Sequence, residues 1–406
     1  MSRTADLAAL LDRARDAGVE LWAEGNRLRF RAPAGALGDD VREALRERKL
    51  EVVRLLQREA EQSVFTGPIA ANQQGLWLIH ELAPDSAAYN LAFSARVLGE
   101  VDVALVREAF QILVDRHEAL RTGYAIGSAG DPERRVFGRA PFTLRTETVH
   151  GSPEALRAAV EAAYREPFDL HAPPLLRGHL VTGANGERVL LVVGHHIAID
   201  GQSLFLLLGE FFHIYAALAD GSPLPARADA AEFTEFIDWQ QRSLAAGSSS
   251  AEYWRDALTP RPPHLEIPSD RTDSTIPGRE GGTVTFEVGG DVRTAIAEFG
   301  RARGATDFTI LLAAWTAWLG RVAGTTDVVV GSPVQGRPSV RFDKTIGDFV
   351  NILPLRVHLD ADQGFAALLD QVRTTVLQGM AHQDYPLPLM VPSGPGGEGP
   401  PFQTMF

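Results

Sequence analysis

The chain has 406 residues, a formal net charge of −13, 45% apolar and 22% charged residues, and no cysteine. That length allows two or three domains, each with its own core, in the composition expected of a soluble globular protein. The missing cysteines exclude disulfides, a cysteine nucleophile and thiolate metal sites, and the acidic balance argues against non-specific nucleic-acid binding.

No run of residues is read as a membrane span. Asp6 and Asp12 interrupt the first apolar stretch, which is therefore no signal peptide, and a cytoplasmic location follows by default. Residues 1–62 form a separate small module. Leu7, Leu10, Leu11 and Ala14 recur at helical spacing, and Gly18 is placed to cap that helix. Val19–Ala23 alternates as a strand, Gly25-Asn26 is a hairpin turn, and Leu28 and Phe30 continue the alternation. Helices over 38–47 and 49–60 complete a helix-hairpin-helix-helix order. The second strand puts Arg27, Arg29 and Arg31 on the face opposite Leu28 and Phe30. That row is either a solvated strand face or a dock for an acidic peptide added as an extra strand.

Residues 67–245 alternate helix and strand patterns. Val103–His117 reads as a helix capped by Asp102, Pro153–Tyr164 as another, Leu204–Leu218 as a long apolar one, and Phe233–Leu244 as a fourth. Ala245–Ser250 reads as a linker. Residues 252–406 repeat the style, with strands over Thr283–Val288, Asp327–Gly331 and Ile352–Leu359, and helices over 291–303, 307–323 and 363–382. Pro392–Pro401 is rich in Gly and Pro, and Phe402–Phe406 is a short apolar end.

The apolar run Val189–Val193 reads as a buried strand, and His195-His196-Ile197-Ala198-Ile199-Asp200-Gly201 follows it. A strand end is a rigid mount for an imidazole able to take and return a proton near neutral pH. Adjacent side chains on a strand diverge, so one histidine faces a cleft while the other packs or bonds backbone. His196 is the favoured base; a pair of purely structural histidines is the competing reading. Asp200 either orients the imidazole or pairs with a distant arginine. Metal ligation by His195, His196 and Asp200 has no further ligand motif behind it. Ser203 lacks the surrounding glycines of a nucleophile elbow and reads as the N-cap of the next helix. Gly331–Gly336 lacks the Lys-Ser/Thr pair of a phosphate loop and reads as a turn that presents Arg337.

Six segments in order resemble the condensation domain of nonribosomal peptide synthetases. They are Asn72–Trp77, Arg116–Thr122, the HHxxxDG signature at His195–Gly201, Phe233–Trp239, Ile346–Asn351 with Arg356, and His382–Pro386. The resemblance departs from the family at Asn72, where Ala is usual, and at Gly75, where Arg is usual. The final motif, with its paired arginines, is not recognisable around Pro392–Pro401, and the chain stops at Phe406 where family members continue.

The resemblance implies an α/β (α+β) fold like chloramphenicol acetyltransferase, with two lobes and a tunnel between them. The N-lobe would be 67–245, and the C-lobe, 252–406, would be truncated at its C-terminus. It implies that His196 deprotonates or positions the acceptor amine, that His195 lies beside it, and that the Gly201 N–H stabilises the developing oxyanion. Asp200 would then pair with an arginine, for which Arg337 is the candidate, and Arg337 and Asn351 would support the site. No cofactor is expected on the chain itself. Substrates would arrive on phosphopantetheine arms of upstream and downstream carrier domains. The first residues resemble a tubulysin-type docking domain, which implies capture of an acidic C-terminal tail of the preceding subunit at Arg27, Arg29 and Arg31. A non-catalytic docking or gating module, an ester-forming or epimerising relative, and a metal-dependent hydrolase are the alternatives.

Overall fold

The computed structural model describes residues 7–406 apart from 8–9, 12, 15–16, 25–26, 33–37, 62, 228, 248, 269–280 and 391–399. In the N-terminal module, β1 (Glu20–Glu24) and β2 (Arg27–Arg31) pair antiparallel. Leu21, Ala23 and Leu28 face Leu10, Leu11, Val52 and Leu56, which come from the first helical residues and from α2 (Lys49–Glu61); α1 (Asp39–Glu47) contributes Leu45. Phe30, which continues the alternation after Leu28, is 58% exposed. The register sets Arg31 opposite Glu20, Arg29 opposite Trp22 and Arg27 opposite Glu24. Two of the three arginine positions are therefore paired in register with glutamates of the same hairpin. The expected Gly25-Asn26 turn lies outside the described residues, as do positions 391–399 of the Gly/Pro-rich tail.

The first lobe is built on two sheets. One has the order β3 (Ser63–Pro68), β6 (Pro132–Phe137), β5 (Thr122–Ile126). The other runs β4 (Asn90–Val97), β9 (Arg188–His195), β8 (Leu176–Gly183), β7 (Leu144–Val149), with only β7 and β8 parallel. Around them lie α3 (Gln73–Leu82), α4 (Val103–Arg116), α5 (Pro153–Tyr164), α6 (Gly201–Asp220) and α7 (Phe233–Ala245). Asp102 caps α4 through the N–H groups of Ala104 and Leu105. Phe110 on α4 stacks between Phe142, at 4.8 Å, and Phe211 on α6, at 4.2 Å.

The second lobe holds α8 (Ser249–Ala257), α9 (Gly290–Arg303), α10 (Asp307–Ala323), the antiparallel pair β10 (Asp327–Val334) and β11 (Asn351–His358), and α11 (Phe365–Ala381). Its core gathers Trp254, Leu312, Val328, Leu355 and Val372. The loop between β10 and β11 leaves this core. Phe342, Ile346 and Phe349 pack into the first lobe instead, with Phe349 against Phe233 and Phe236 at 5.1 and 4.5 Å. That crossing builds the site described below.

Four expectations are corrected. Residues 283–288 form no strand; Val284, Phe286 and Val288 alternate as a strand does but are exposed and have no ladder partner among the described residues. The expected linker at 245–250 is shorter, because Ser249 opens α8 and Ser250 is buried, its hydroxyl 2.9 Å from Asp384 Oδ1. The helix α6 is long and apolar enough to cross a membrane, where the sequence reading finds no such run; here Leu204, Leu207, Leu208, Phe211 and Ile214 belong to the lobe core. Ser203 is not the cap of α6: Asp200 is, accepting from the Ser203 N–H. The terminal residues make one parallel bridge, Met405 to Gly331.

Glu210 on α6 binds Arg116 at 2.5 Å and His117 at 2.7 Å, tying α6 to the end of α4. Burial pushes its carboxyl up, but the bonds from His117 and Arg116 outweigh this and hold it at about 2, below the ordinary 4.5. A depressed carboxyl stabilises the fold above its unfolded pKa, and that stability is lost as pH falls toward the folded value. Glu210→Gln should cost about 2–3 kcal/mol at neutral pH and flatten the acid dependence of urea unfolding between pH ~5 and ~2.

Candidate active site

The signature turn is anchored on both sides. The His195 N–H donates to Leu175 O at 3.1 Å and the His196 N–H to Tyr89 O at 2.8 Å. The chain then folds back, with the N–H groups of Ala198 and Ile199 returning to His195 O. Gly194 leaves room for this packing: a Cβ there would lie 2.3 Å from Ile199 Cδ1 and would displace the end of that side chain.

The two histidines diverge. His195 is buried beside Phe168 and His80, and its Nδ1 accepts from the Ile197 N–H at 3.1 Å. Burial, with smaller contributions from His80 and His196, drives its pKa down to about 3, so it stays neutral. Its ring serves the turn. His196 is partly open to solvent, and its Nδ1 lies 3.4 Å from Oδ1 of the buried Asp348. Among the described residues neither atom has another hydrogen-bond partner, and 3.4 Å is an ion-pair contact longer than a well-formed hydrogen bond. Burial lowers the His196 pKa, but the Asp348 carboxylate, helped by the backbone and by Asp200, outweighs it, and the net is above the ordinary histidine value. Burial pushes the Asp348 carboxyl up, with His196 only partly opposing it.

Asp200 does not orient His196. It pairs with Arg337, whose Nη2 reaches Oδ1 at 3.1 Å and Oδ2 at 3.0 Å, and both side chains are almost wholly buried. Asp200 also accepts from the N–H of Ser203 at 2.6 Å and of Phe349 at 3.3 Å. Arg337 Nη1 donates to the carbonyls of Phe342 and Thr345, and its guanidinium lies 4.0 Å over the Phe349 ring. Burial pulls the Arg337 pKa down and Asp200 opposes this. The Ser203 hydroxyl donates to Gly347 O at 2.9 Å and accepts from Arg337, which leaves it no nucleophile's role. Gly201 opens α6, where the first N–H groups have no intrahelical acceptor. Asn351 binds the chain that follows α11: its Nδ2 donates to Gln383 O and Tyr385 O, and its Oδ1 accepts from the Leu387 N–H. Arg27, Arg29 and Arg31 belong to the N-terminal hairpin. Beside Arg337 opens a cavity of about 390 Å³ lined by Val334, Gly336, Leu353, Leu355 and Met380. Among the described residues no three His, Asp or Glu side chains gather as a metal site.

Sequence reasoning missed Asp348 as the partner of His196. The available signal was a single carboxylate within the otherwise apolar Ile346–Val350, a placement that is costly unless the charge meets a partner.

Residues 66–406 match the condensation domain family. The chain belongs to that family. Residues 7–58 match the TubC N-terminal docking domain. The chain is similar to a plipastatin synthase polypeptide of Bacillus subtilis, 33% identical over 80% of this chain and 12% of that protein. It also resembles a probable non-canonical nonribosomal peptide synthetase, CymA, of Salinispora arenicola, 35% identical over 80% of this chain and 4% of that one. The chain thus spans a small part of the curated relatives it matches. Among solved structures, the X-domain from teicoplanin biosynthesis superposes with a TM-score of 0.75 at 26% identity, over 83% of this chain and 76% of that one. The first condensation domain of the calcium-dependent antibiotic synthetase gives 0.66 at 23%, over 82% and 79%. The fold is therefore the two-lobed, chloramphenicol acetyltransferase-like architecture of condensation domains. Condensation domains of nonribosomal peptide synthetases are acyltransferases that form peptide bonds.

Asp348→Asn removes the charge that raises His196 and leaves the burial that lowers it. His196 should then titrate at lower pH than in the wild type, measured on its imidazole resonances by NMR.

Proposed function

We propose that this chain joins an acyl or peptidyl thioester on an upstream carrier domain to the amine of an aminoacyl group on a downstream carrier domain, in the cytoplasm. Both substrates would be tethered to phosphopantetheine arms of the carriers. The amine nitrogen attacks the thioester carbonyl; a C–N bond forms and the C–S bond breaks. His196 takes a proton from the attacking amine and returns one to the departing thiolate, so the products are an amide and a free pantetheine thiol. The Gly201 N–H, at the open first turn of α6, is the donor for the oxyanion. The observation that carries this reading is His196 itself: it is solvent-accessible and stands at the lobe junction with Asp348 behind it, which strengthens it as a base. Tethering both reactants supplies effective concentration.

In the same reading, the N-terminal module receives the C-terminal tail of a preceding subunit along β2. Arg27 and Arg29 are exposed there. The tail would bring its acidic groups to this strand, in which Arg27 and Arg31 are paired in register with Glu24 and Glu20.

Two measurements check these assignments. With loaded carriers and intact-protein mass spectrometry, His196→Ala should slow mass transfer to the acceptor carrier by about 10²–10⁴-fold; transfer at the wild-type rate would remove His196 from the chemistry. Reversing Arg27, Arg29 and Arg31 to Glu should weaken an acidic tail peptide by about tenfold or more in a calorimetric titration, and unchanged affinity would end the docking assignment.

A further inference from the structure

The 3.4 Å gap between His196 and Asp348 spans two lobes, and its members sit on separate loops, 195–200 and 342–349. Something must hold both loops at once. The first residues of α3 touch each of them. Asn72 Nδ2 donates to Asp348 O at 2.7 Å and lies 3.5 Å from Asp348 Oδ2. The next residue, Gln73, is fully buried, and its Nε2 donates to Ile197 O at 2.6 Å and to the Tyr124 hydroxyl at 3.0 Å. Tyr124 donates in turn to the same Ile197 O at 3.1 Å, and Gln73 Oε1 accepts from the Ala70 N–H at 2.9 Å. Every polar atom of the Gln73 amide is thus used, and its orientation follows from the network. Ile197 is the residue after His196, so its carbonyl anchors the 197–198 peptide, one peptide beyond the link from His196 to Ile197.

Asn72 stands where a helix N-cap would. An asparagine there ordinarily spends its side chain on the helix's own first N–H groups, and Asn72 makes no such bond. Its amide turns to Asp348 instead. The start of α3 is itself held: Gln240, buried on α7, accepts from the Ala71 N–H at 2.8 Å and reaches Asn72 Oδ1 at 3.5 Å.

We propose that Asn72 and Gln73 are positioning residues that set the separation of His196 and Asp348, Asn72 gripping the carboxylate's loop and Gln73 the imidazole's. This rests on the reading of His196 as the reacting base. Each acts through the pair. The other charged group near His196 is Asp200, committed to Arg337, and His195 beside it is neutral. The Asp348 contact with Asn72 is therefore the adjustable one.

The test uses the full chain labelled with ¹⁵N-histidine, with His196→Ala to assign the resonance. The variants are Asn72→Ala, Gln73→Met and Asp348→Asn, each checked by thermal unfolding. Asn72→Ala should keep the wild-type melt, shift the His196 titration to lower pH, and lower kcat by about tenfold with KM for both loaded carriers unchanged. Gln73→Met should move the same titration. Should Asn72→Ala lose its fold, Asn72→Ser replaces it under the same criteria. If His196 titrates in a folded Asn72 variant as in the wild type, the proposal is overturned. If Asp348→Asn moves the titration and Asn72→Ala does not, only the positioning role fails. If neither moves it, the His196–Asp348 pairing fails first. The titration decides these outcomes without reference to turnover.

Discussion

The site depends on one buried ion pair that crosses between the lobes. Asp200 comes from the end of the signature turn and Arg337 from the loop after β10, and neither has appreciable access to water. Burying two charges is expensive and is compensated only when the remaining donors and acceptors are also satisfied. Here they largely are. Asp200 accepts from Arg337, Ser203 and Phe349, while Arg337 also binds the carbonyls of Phe342 and Thr345 and lies on Phe349. One pair thereby caps α6 and seats the crossing loop that carries Asp348. Gly336 belongs to the same device: its φ of +63° and a would-be Cβ 1.9 Å from Phe349 O leave no room for any side chain before Arg337.

Around that pair the two histidines have opposite electrostatic fates, although they are neighbours in the chain. His195 turns into the first lobe, loses water, finds other histidines, and becomes a neutral acceptor for the Ile197 N–H. His196 turns to the junction, keeps a route to solvent, and faces a carboxylate. The strand ends between them, with His195 closing β9 and His196 opening the turn; environment then assigns one to structure and the other to proton transfer. This division follows from geometry and does not depend on which acyl group is moved.

Much of this was legible in the sequence. The apolar run before His195, the Asp102 cap and the helices over 291–303 and 307–323 follow from periodicity and capping, since those signals are local. The segment 283–288 shows the limit: alternation states that a strand is possible, whereas a ladder needs a partner, which is a nonlocal fact. Ser203 shows another. Serine two residues inside a helix start resembles a cap, yet Asp200 with two acceptor oxygens takes that place and frees Ser203 for Gly347. Asp348 and Asn72 were visible only as letters in motifs, because their roles arise from a contact across 276 residues of chain. Arg337 could be named as a partner for Asp200 only because the family resemblance called for an arginine.

The most direct test of the central claim is a double-mutant cycle on Asp200 and Arg337. It would use Asp200→Ala, Arg337→Ala and the double variant, with unfolding free energy and acyl-transfer rate measured for each. Each single change should cost about 3–5 kcal/mol, since it strands a buried charge, while the double variant should cost much less than the sum, giving a coupling of about 2 kcal/mol or more. Transfer should fall as far in either single variant as in the double. Additive costs, or a wild-type rate in either single variant, would contradict the claim that this pair holds the site together.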